Sequence, residues 1–303
     1  MRAITFEQFG GPEVLHLSEV PEPQAGPGQV RIRVRAVGVN PIEGKIRSGT
    51  MEAAFPTPLP AIPGSEVAGV VDQLGEGVTD LVVGDEVLGW ADSGAYAEYA
   101  TGTQLAKKPA GLDWAIAAAI PAGGETARRA LGLLGVGPGE TLIVHGAAGN
   151  VGTFAVQLAT DAGAIVIGTA SEANQDYVRA LGAVPVVYGD GLVERVRALA
   201  PGGVDAALDV AGKGALEDSI ELTGGTERVV TIADMNAAAL GVRFARGTAK
   251  DRSIPALTDL AVEVAEGDIH VTVSHTFPLA DAAEAARVSD AGHVRGKLVL
   301  LVD

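Results

Sequence analysis

Along residues 29–38 apolar and charged side chains alternate one by one. Val30, Ile32, Val34 and Ala36 fall on one side and Arg31, Arg33 and Arg35 on the other. A repeat of two buries one face and wets the other, which predicts a strand of an antiparallel sheet or barrel. Residues 66–75 and 85–90 predict further strands, set off by turns at Gly75-Glu76-Gly77 and Gly84-Asp85. Prolines crowd residues 56–63 and predict an irregular loop there.

The pattern changes near residue 115. Short apolar runs predict strands at 141–145, 164–169, 184–187, 204–210 and 228–232. Between them, 151–162, 174–181, 192–199 and 213–222 have the spacing of helices. Apolar strands alternating with helices predict a parallel sheet covered on both faces, and right-handed crossovers make it doubly wound. Residues 255–266 and 280–288 read as helices and 296–302 as a strand that returns to the first domain.

Composition narrows the class. The 303 residues, 47% hydrophobic and 20% charged, suit a globular enzyme of one large or two ordinary domains. No apolar run reaches the roughly 18 to 20 residues that cross a bilayer, and MRAITFEQFG lacks a secretory core, so a cytoplasmic protein is expected. A net charge of −16 argues against nucleic acid and anionic membranes as partners. It also requires that a phosphorylated cofactor be met by backbone N–H groups or a few placed cations. With no cysteine, disulfides, cysteine nucleophiles and thiolate zinc sites are excluded. The five histidines are scattered, with no spacing that suggests a metal pair.

The sharpest local signal is His145-Gly146-Ala147-Ala148-Gly149-Asn150-Val151-Gly152. It follows an apolar run and opens a segment whose Val151, Phe154, Ala155 and Leu158 share one helical face. A dinucleotide-binding turn requires this strand–turn–helix setting. Gly149 would let the main chain approach a pyrophosphate, Gly152 would let helix and strand pack closely, and the helix start would offer N–H groups to the anion. The expected contacts are Gly146, Ala148, Gly149, Asn150, Val151 and Gly152. The spacing is G-x-x-G-x-x-G, with Ala147 where the usual first glycine would be, and a tight turn without a ligand is the competing reading.

The end of the next strand selects the coenzyme. NAD sites usually carry a carboxylate about 20 residues after the turn to receive the ribose hydroxyls. Here Ser171 stands nineteen residues after Gly152, followed by Glu172. Ser171, with Asn174 and Tyr188, is expected to receive a 2′-phosphate, although the first cation in this stretch is Arg179. NADPH is therefore the expected cofactor, with NADH the alternative that Glu172 would favour. Asp209 and Ile232 are counted with the cofactor-binding residues, Asp209 either orienting a ribose or capping the sheet end.

Several stretches occur together and in order: Val39-Asn40-Pro41-Ile42-Glu43, Ile46-Arg47-Ser48-Gly49, Pro63-Gly64-Ser65-Glu66-Val67-Ala68-Gly69, Gly84-Asp85-Glu86-Val87 and Gly94-Ala95-Tyr96-Ala97-Glu98-Tyr99. Thr126, the glycine turn, Leu208-Asp209-Val210-Ala211-Gly212 and Gly296-Lys297-Leu298-Val299-Leu300 follow. In this series the chain resembles, over its whole length, the zinc-free quinone oxidoreductases of the medium-chain dehydrogenase/reductase superfamily. The resemblance implies a Rossmann doubly wound parallel sheet at 119–269 and a β-rich, partly open barrel (GroES-like) domain from 1–118 plus 270–303. It places the cofactor in the cleft and implies a homodimer.

Zinc-dependent relatives carry a cysteine near position 40 and a histidine within 63–69, where this chain has Asn40 and Ser65. No metal site is expected. A quinone or enone is already electrophilic, so hydrogen-bond donors can do the work that zinc does for an alkoxide. By resemblance Asn40 is the catalytic candidate beside nicotinamide and substrate, Thr126 approaches the cofactor, and Met51 and Phe244 line the substrate pocket. Many relatives have a tyrosine where Met51 stands, so the resemblance implies protonation by water or another group. Tyr96, Tyr99 and His145 read as structural. The expected activity is NADPH-dependent hydride transfer to a small-molecule quinone or other α,β-unsaturated carbonyl. An enoyl-thioester reductase and a non-catalytic NADPH-binding sensor are the alternatives.

Overall fold

The alternation in the first third produces strands that pair in an antiparallel sheet. In the computed structural model, which describes residues 1–303, the chain begins with β1 (Arg2–Thr5), β2 (His16–Glu19) and β3 (Val30–Val39). Helix α1 (Pro41–Arg47), β4 (Glu66–Leu74), β5 (Glu86–Trp90), β6 (Tyr99–Gly102), β7 (Gln104–Lys107) and α2 (Trp114–Ala119) follow. The middle runs α3 (Pro121–Leu134), β8 (Thr141–His145), α4 (Asn150–Asp161), β9 (Ile165–Ala170), α5 (Gln175–Ala180), β10 (Val184–Val187) and α6 (Leu192–Leu199). It continues with β11 (Ala206–Asp209), α7 (Leu216–Thr223), β12 (Val229–Thr231) and β13 (Arg243–Phe244). Helix α8 (Ile254–Glu266), β14 (Val273–Pro278), α9 (Ala282–Ala291) and β15 (Lys297–Leu301) close the order.

The chain forms two compact units, one from Met1–Pro121, Ile254–Asp268 and Thr272–Asp303, the other from Ala122–Ser253 and Ile269–Val271. In the first, a sheet runs β14-β15-β3-β4-β5-β7, with β6 also on β3. All its pairs are antiparallel except β14–β15, and its ends do not join, so the barrel is partly open. Val30, Ile32 and Val34 are buried as the alternation predicted, within a core that includes Ile4, Phe6, Val67, Val87 and Leu300. β15 lies beside β3 with Leu298 opposite Val39, so the last strand does return to the first.

The second unit holds a six-stranded sheet in the order β10-β9-β8-β11-β12-β13, every pair parallel. This is the doubly wound arrangement, and its core gathers Ile143, Ile167, Val196, Ala207 and Val229. Because all strands run the same way, the segments after β8, β9, β10, β11, β12 and β13 leave one carboxyl edge. Ligands of such sheets bind at that edge.

The unit boundary differs from the one expected at residue 269. Helix α8 packs on β7 in the first unit, burying Leu257, Leu260 and Ala261. An amphipathic helix shows which residues it hides but not which sheet it hides them against, so sequence pattern cannot assign it.

Candidate active site

The turn after β8 is built around two glycines with different duties. Gly146 sits at φ +82°, in the left-handed region that favours glycine. At Gly152 a Cβ would lie 2.2 Å from Gly146 O and 2.7 Å from Ala147 Cα. Both are backbone atoms, so only glycine lets α4 start this close to the strand. Thr169, buried at the end of β9, pins the turn: its Oγ1 accepts from Gly146 N at 3.2 Å and its carbonyl from Ala147 N at 3.0 Å.

The first bond of α4 runs from Thr153 N to Gly149 O at 2.8 Å, so the helix supplies no acceptor to the N–H groups of Val151 and Gly152. Its N-cap is Gly149, which has no side chain to cap them. A Cβ on Gly149 would meet only Gly146 O, at 3.5 Å, and would otherwise fill the space before the helix. Open space, unspent donors and the positive end of a twelve-residue helix together fit a pyrophosphate.

At the end of β9, Ser171 Oγ accepts from Asn174 Nδ2 at 3.1 Å, and Gln175 Nε2 donates to the carbonyls of Ala170 and Ser171. Tyr188 follows β10 and is 47% exposed. Sequence reasoning missed Arg195, which α6 brings under the Tyr188 turn. Its guanidinium donates to the carbonyls of Val187, Gly189 and Asp190 at 2.7–3.3 Å, placing a cation beside a stretch that otherwise lacks one.

Asp209 is 0% exposed; Oδ1 accepts from Ala211 N and Gly212 N and Oδ2 from Thr231 Oγ1, an arrangement that caps the sheet end. His145 is buried with Nε2 3.0 Å from Ser219 Oγ, and burial pushes it down to about 4 against the pull of Asp209. It is neutral and structural. Ile232 N donates to Asp209 O at 3.0 Å, Thr126 Oγ1 donates to Glu125 Oε2 at 3.3 Å on α3, and Phe244 packs half-buried on the unit's core.

In the first unit, Asn40 follows β3 and caps α1. Its backbone N–H donates to Glu43 Oε2 at 3.0 Å and its side chain accepts from the Glu43 backbone N–H, a capping box, while Nδ2 donates to Glu43 Oε1 at 3.3 Å. Asn40 Nδ2 also donates to Glu66 Oε1 at 2.9 Å, and Lys297 Nζ donates to Asn40 Oδ1 at 2.6 Å while pairing with Glu66. Tyr96 Oη donates to Glu43 Oε2 at 2.6 Å. Burial pushes the Glu43 carboxyl up, and burial followed by the Glu43 charge holds Tyr96 well above the usual phenol range. Met51 lies half-buried in the turn after α1, its carbonyl accepting from Ala54 N and Phe55 N. No group of three His, Cys, Asp or Glu side chains is arranged to hold a metal ion.

Glu43, Glu66 and Lys297 were given no role from sequence. The Asn-x-x-Glu spacing of a capping box signals the first. Nothing local signals the other two, which lie 231 positions apart.

The family models for an alcohol dehydrogenase GroES-like domain and for a zinc-binding dehydrogenase match residues 26–126 and 181–300. The quinone oxidoreductase of Rattus norvegicus is 33% identical over 100% of this chain and 98% of its own. The chain belongs to the quinone oxidoreductase family of the medium-chain dehydrogenase/reductase superfamily. Two further members bear on chemistry. The NADPH-dependent alkenal/one oxidoreductase of Arabidopsis thaliana is 32% identical over 99% of this chain and 79% of its own. The Escherichia coli quinone oxidoreductase solved in complex with NADPH superposes with a TM-score of 0.88 at 27% identity, covering 99% of this chain and 100% of that one. Like its relatives, the chain is an enzyme of the oxidoreductase type.

Proposed function

We propose that this protein is an NADPH-dependent reductase of quinones or other α,β-unsaturated carbonyl compounds that works without a catalytic metal. The observation that carries the reading is the cradle at Gly149–Gly152, a helix start with spare donors and with room where a side chain would stand. When bound, the reduced nicotinamide supplies hydride to the electrophilic carbon of the acceptor. The amides of Val151 and Gly152 hold the pyrophosphate. Ser171, Asn174 and Tyr188 hold the 2′-phosphate, and Arg195 adds charge. Asn40 is the polar group beside the reacting ring. Tyr96 gives no proton, because its hydroxyl is buried and committed to Glu43, so solvent supplies it. Support for metal-free chemistry comes from Asn40 and Ser65, neither of which offers a thiolate or imidazole.

One observation favours a thioester as acceptor. Residues 243–252 hold Arg243, Arg246, Lys250 and Arg252 against Asp251 alone, a net of +3 in a chain of −16. Arg246 and Lys250 are exposed, beyond β13 on the carboxyl edge. β13 is four strands from β9, roughly 19 Å at the usual spacing, too far to serve Ser171 but suited to an acceptor with a phosphorylated tail.

Stopped-flow mixing of the NADPH-loaded protein with quinones, enones and an enoyl thioester tests both readings. Oxidation by a quinone or enone is expected, with Ser171→Asp shifting preference toward NADH. A thioester substrate would lose more than neutral acceptors in Arg246→Gln/Lys250→Gln. Coenzyme bound but oxidised by no acceptor overturns the reductase reading and leaves a sensor.

A further inference from the structure

The turn after β10 has little packing to hold it. Residues 187–191 are all exposed, and Gly189 and Gly191 take φ of +95° and +75°. A Cβ on Gly189 would meet no atom within 4 Å, and one on Gly191 only the side chains of Arg195 and Glu194. A single main-chain bond, Leu192 N to Gly189 O at 3.1 Å, closes the turn. Left to itself a Gly-Asp-Gly run would wander, since glycine populates positive and negative φ alike. Arg195, half-buried in the first turn of α6, supplies what packing does not. Its Nε and Nη2 donate to Val187 O at 3.3 and 2.9 Å, Nη2 also to Gly189 O at 3.0 Å, and Nη1 to Asp190 O at 2.7 Å. Of the five guanidinium N–H groups only one on Nη1 is then left over for a ligand.

These carbonyls come just before and just after Tyr188, so the guanidinium fixes the stretch that carries it. The register of β10 on β9 sets Val187 beside Ala170, which leaves Tyr188 and Ser171 as neighbours past the ends of adjacent strands, about 4.8 Å apart. We propose that Arg195 is a positioning residue for coenzyme selection, bracing three carbonyls of this turn so that Tyr188 stands beside Ser171 to receive the 2′-phosphate. The proposal rests on the reading that Ser171, Asn174 and Tyr188 hold that phosphate. It makes the shape of the guanidinium matter more than its charge. Lysine keeps the charge but gathers its donors at one atom and cannot span three carbonyls, so it does not replace arginine here.

The test is equilibrium binding of NADPH and of NADH, each followed by its fluorescence, to wild type, Tyr188→Phe, Arg195→Lys and Arg195→Met. NADH differs from NADPH only in lacking the 2′-phosphate, so its affinity reports whether the rest of the coenzyme site is intact. Tyr188→Phe is expected to bind NADPH about tenfold more weakly, the lower end of the worth of a hydrogen bond to a charged group. Arg195→Lys should bind NADPH about five- to tenfold more weakly and NADH within about twofold of wild type, the loss being that same bond misplaced. Arg195→Met should lose at most about fivefold more, the worth of an exposed charge. In a Tyr188→Phe background Arg195→Lys should cost no more than about twofold further, because the hydroxyl it positions is already gone.

Arg195→Lys with wild-type NADPH affinity overturns the proposal and leaves Arg195 a source of charge alone. Equal losses of NADPH and NADH in Arg195→Lys also overturn it, since they mark a general loss of structure. A full further loss in the Tyr188→Phe background does the same, because the brace would then act through some other group. The reading underneath fails by a different sign. If Tyr188→Phe binds NADPH as wild type does, or if wild type binds both coenzymes equally, the 2′-phosphate does not lie at Tyr188 and the proposal falls with that assignment.

Discussion

His145 closes β8 from inside the second unit, 2% exposed and in hydrogen-bond contact with Ser219. Its pKa falls to about 4 from an ordinary 6.5, so the folded state refuses a proton that the unfolded chain accepts. The stability tied to this group is therefore present above pH 6.5 and lost as pH falls from there toward 4. The part lost at pH 5 is about 2 kcal/mol. Urea unfolding at pH 7.5 and 5.0 should show a drop of that order, and His145→Gln should show less. Equal slopes in the two proteins would remove His145 as the cause. His145 was readable from sequence as structural because it ends an apolar run. The polar set around Asn40 was not: Asn40 itself was singled out, but Glu66 and Lys297 become its partners only when the first sheet forms.

Among the elements, α4 and the turn before it make the clearest demand on sequence. Adding one methyl at Gly152 forces backbone on backbone, a cost of about 1–3 kcal/mol. Gly152→Ala should lower the melting temperature and weaken coenzyme binding together. Gly149→Ala, whose methyl has room, should weaken binding and leave melting unchanged. Calorimetric melting and coenzyme titration of both variants check this, and a Gly149→Ala protein that binds normally would move the pyrophosphate elsewhere. Elements with strong local signals were legible: β8, β10 and α6 fall on the residues that pattern alone indicated. The helix expected at 213–222 begins instead at Leu216, because Gly212 and Gly214 take φ of +62° and +81° and hold the chain out of helix. Strand β14 escaped notice because Val273–Pro278 carries no apolar run and is held as a parallel edge by β15.

For the whole molecule the dominant quantity is charge. At −16 the chain repels an anionic coenzyme at long range and binds it only through local donors. Raising ionic strength from 10 to 150 mM shortens the screening length from about 30 to 8 Å. The association rate of NADPH should therefore rise, in contrast to the fall usual for a basic pocket; stopped-flow fluorescence at the two salts measures it, and a falling rate would mean that local cations control the approach. The fold class was legible at this scale because two kinds of alternation follow one another along the chain. The ownership of α8 was not, since burial against one sheet or the other leaves the same pattern.

The pairing of β15 with β3 also carries a consequence for synthesis on the ribosome. Val39 waits for Leu298, roughly 260 residues later, which is on the order of 13–50 s of translation. The strands β8 to β13 emerge in full during that interval, so their sheet can close while one flank of β3 is still bare and Glu66 still lacks its cation. A nascent chain stalled before residue 297 would hold a finished second unit and an unsealed first one. That makes the unsealed flank of β3 the place where a chaperone, or another unfinished copy, would first find purchase.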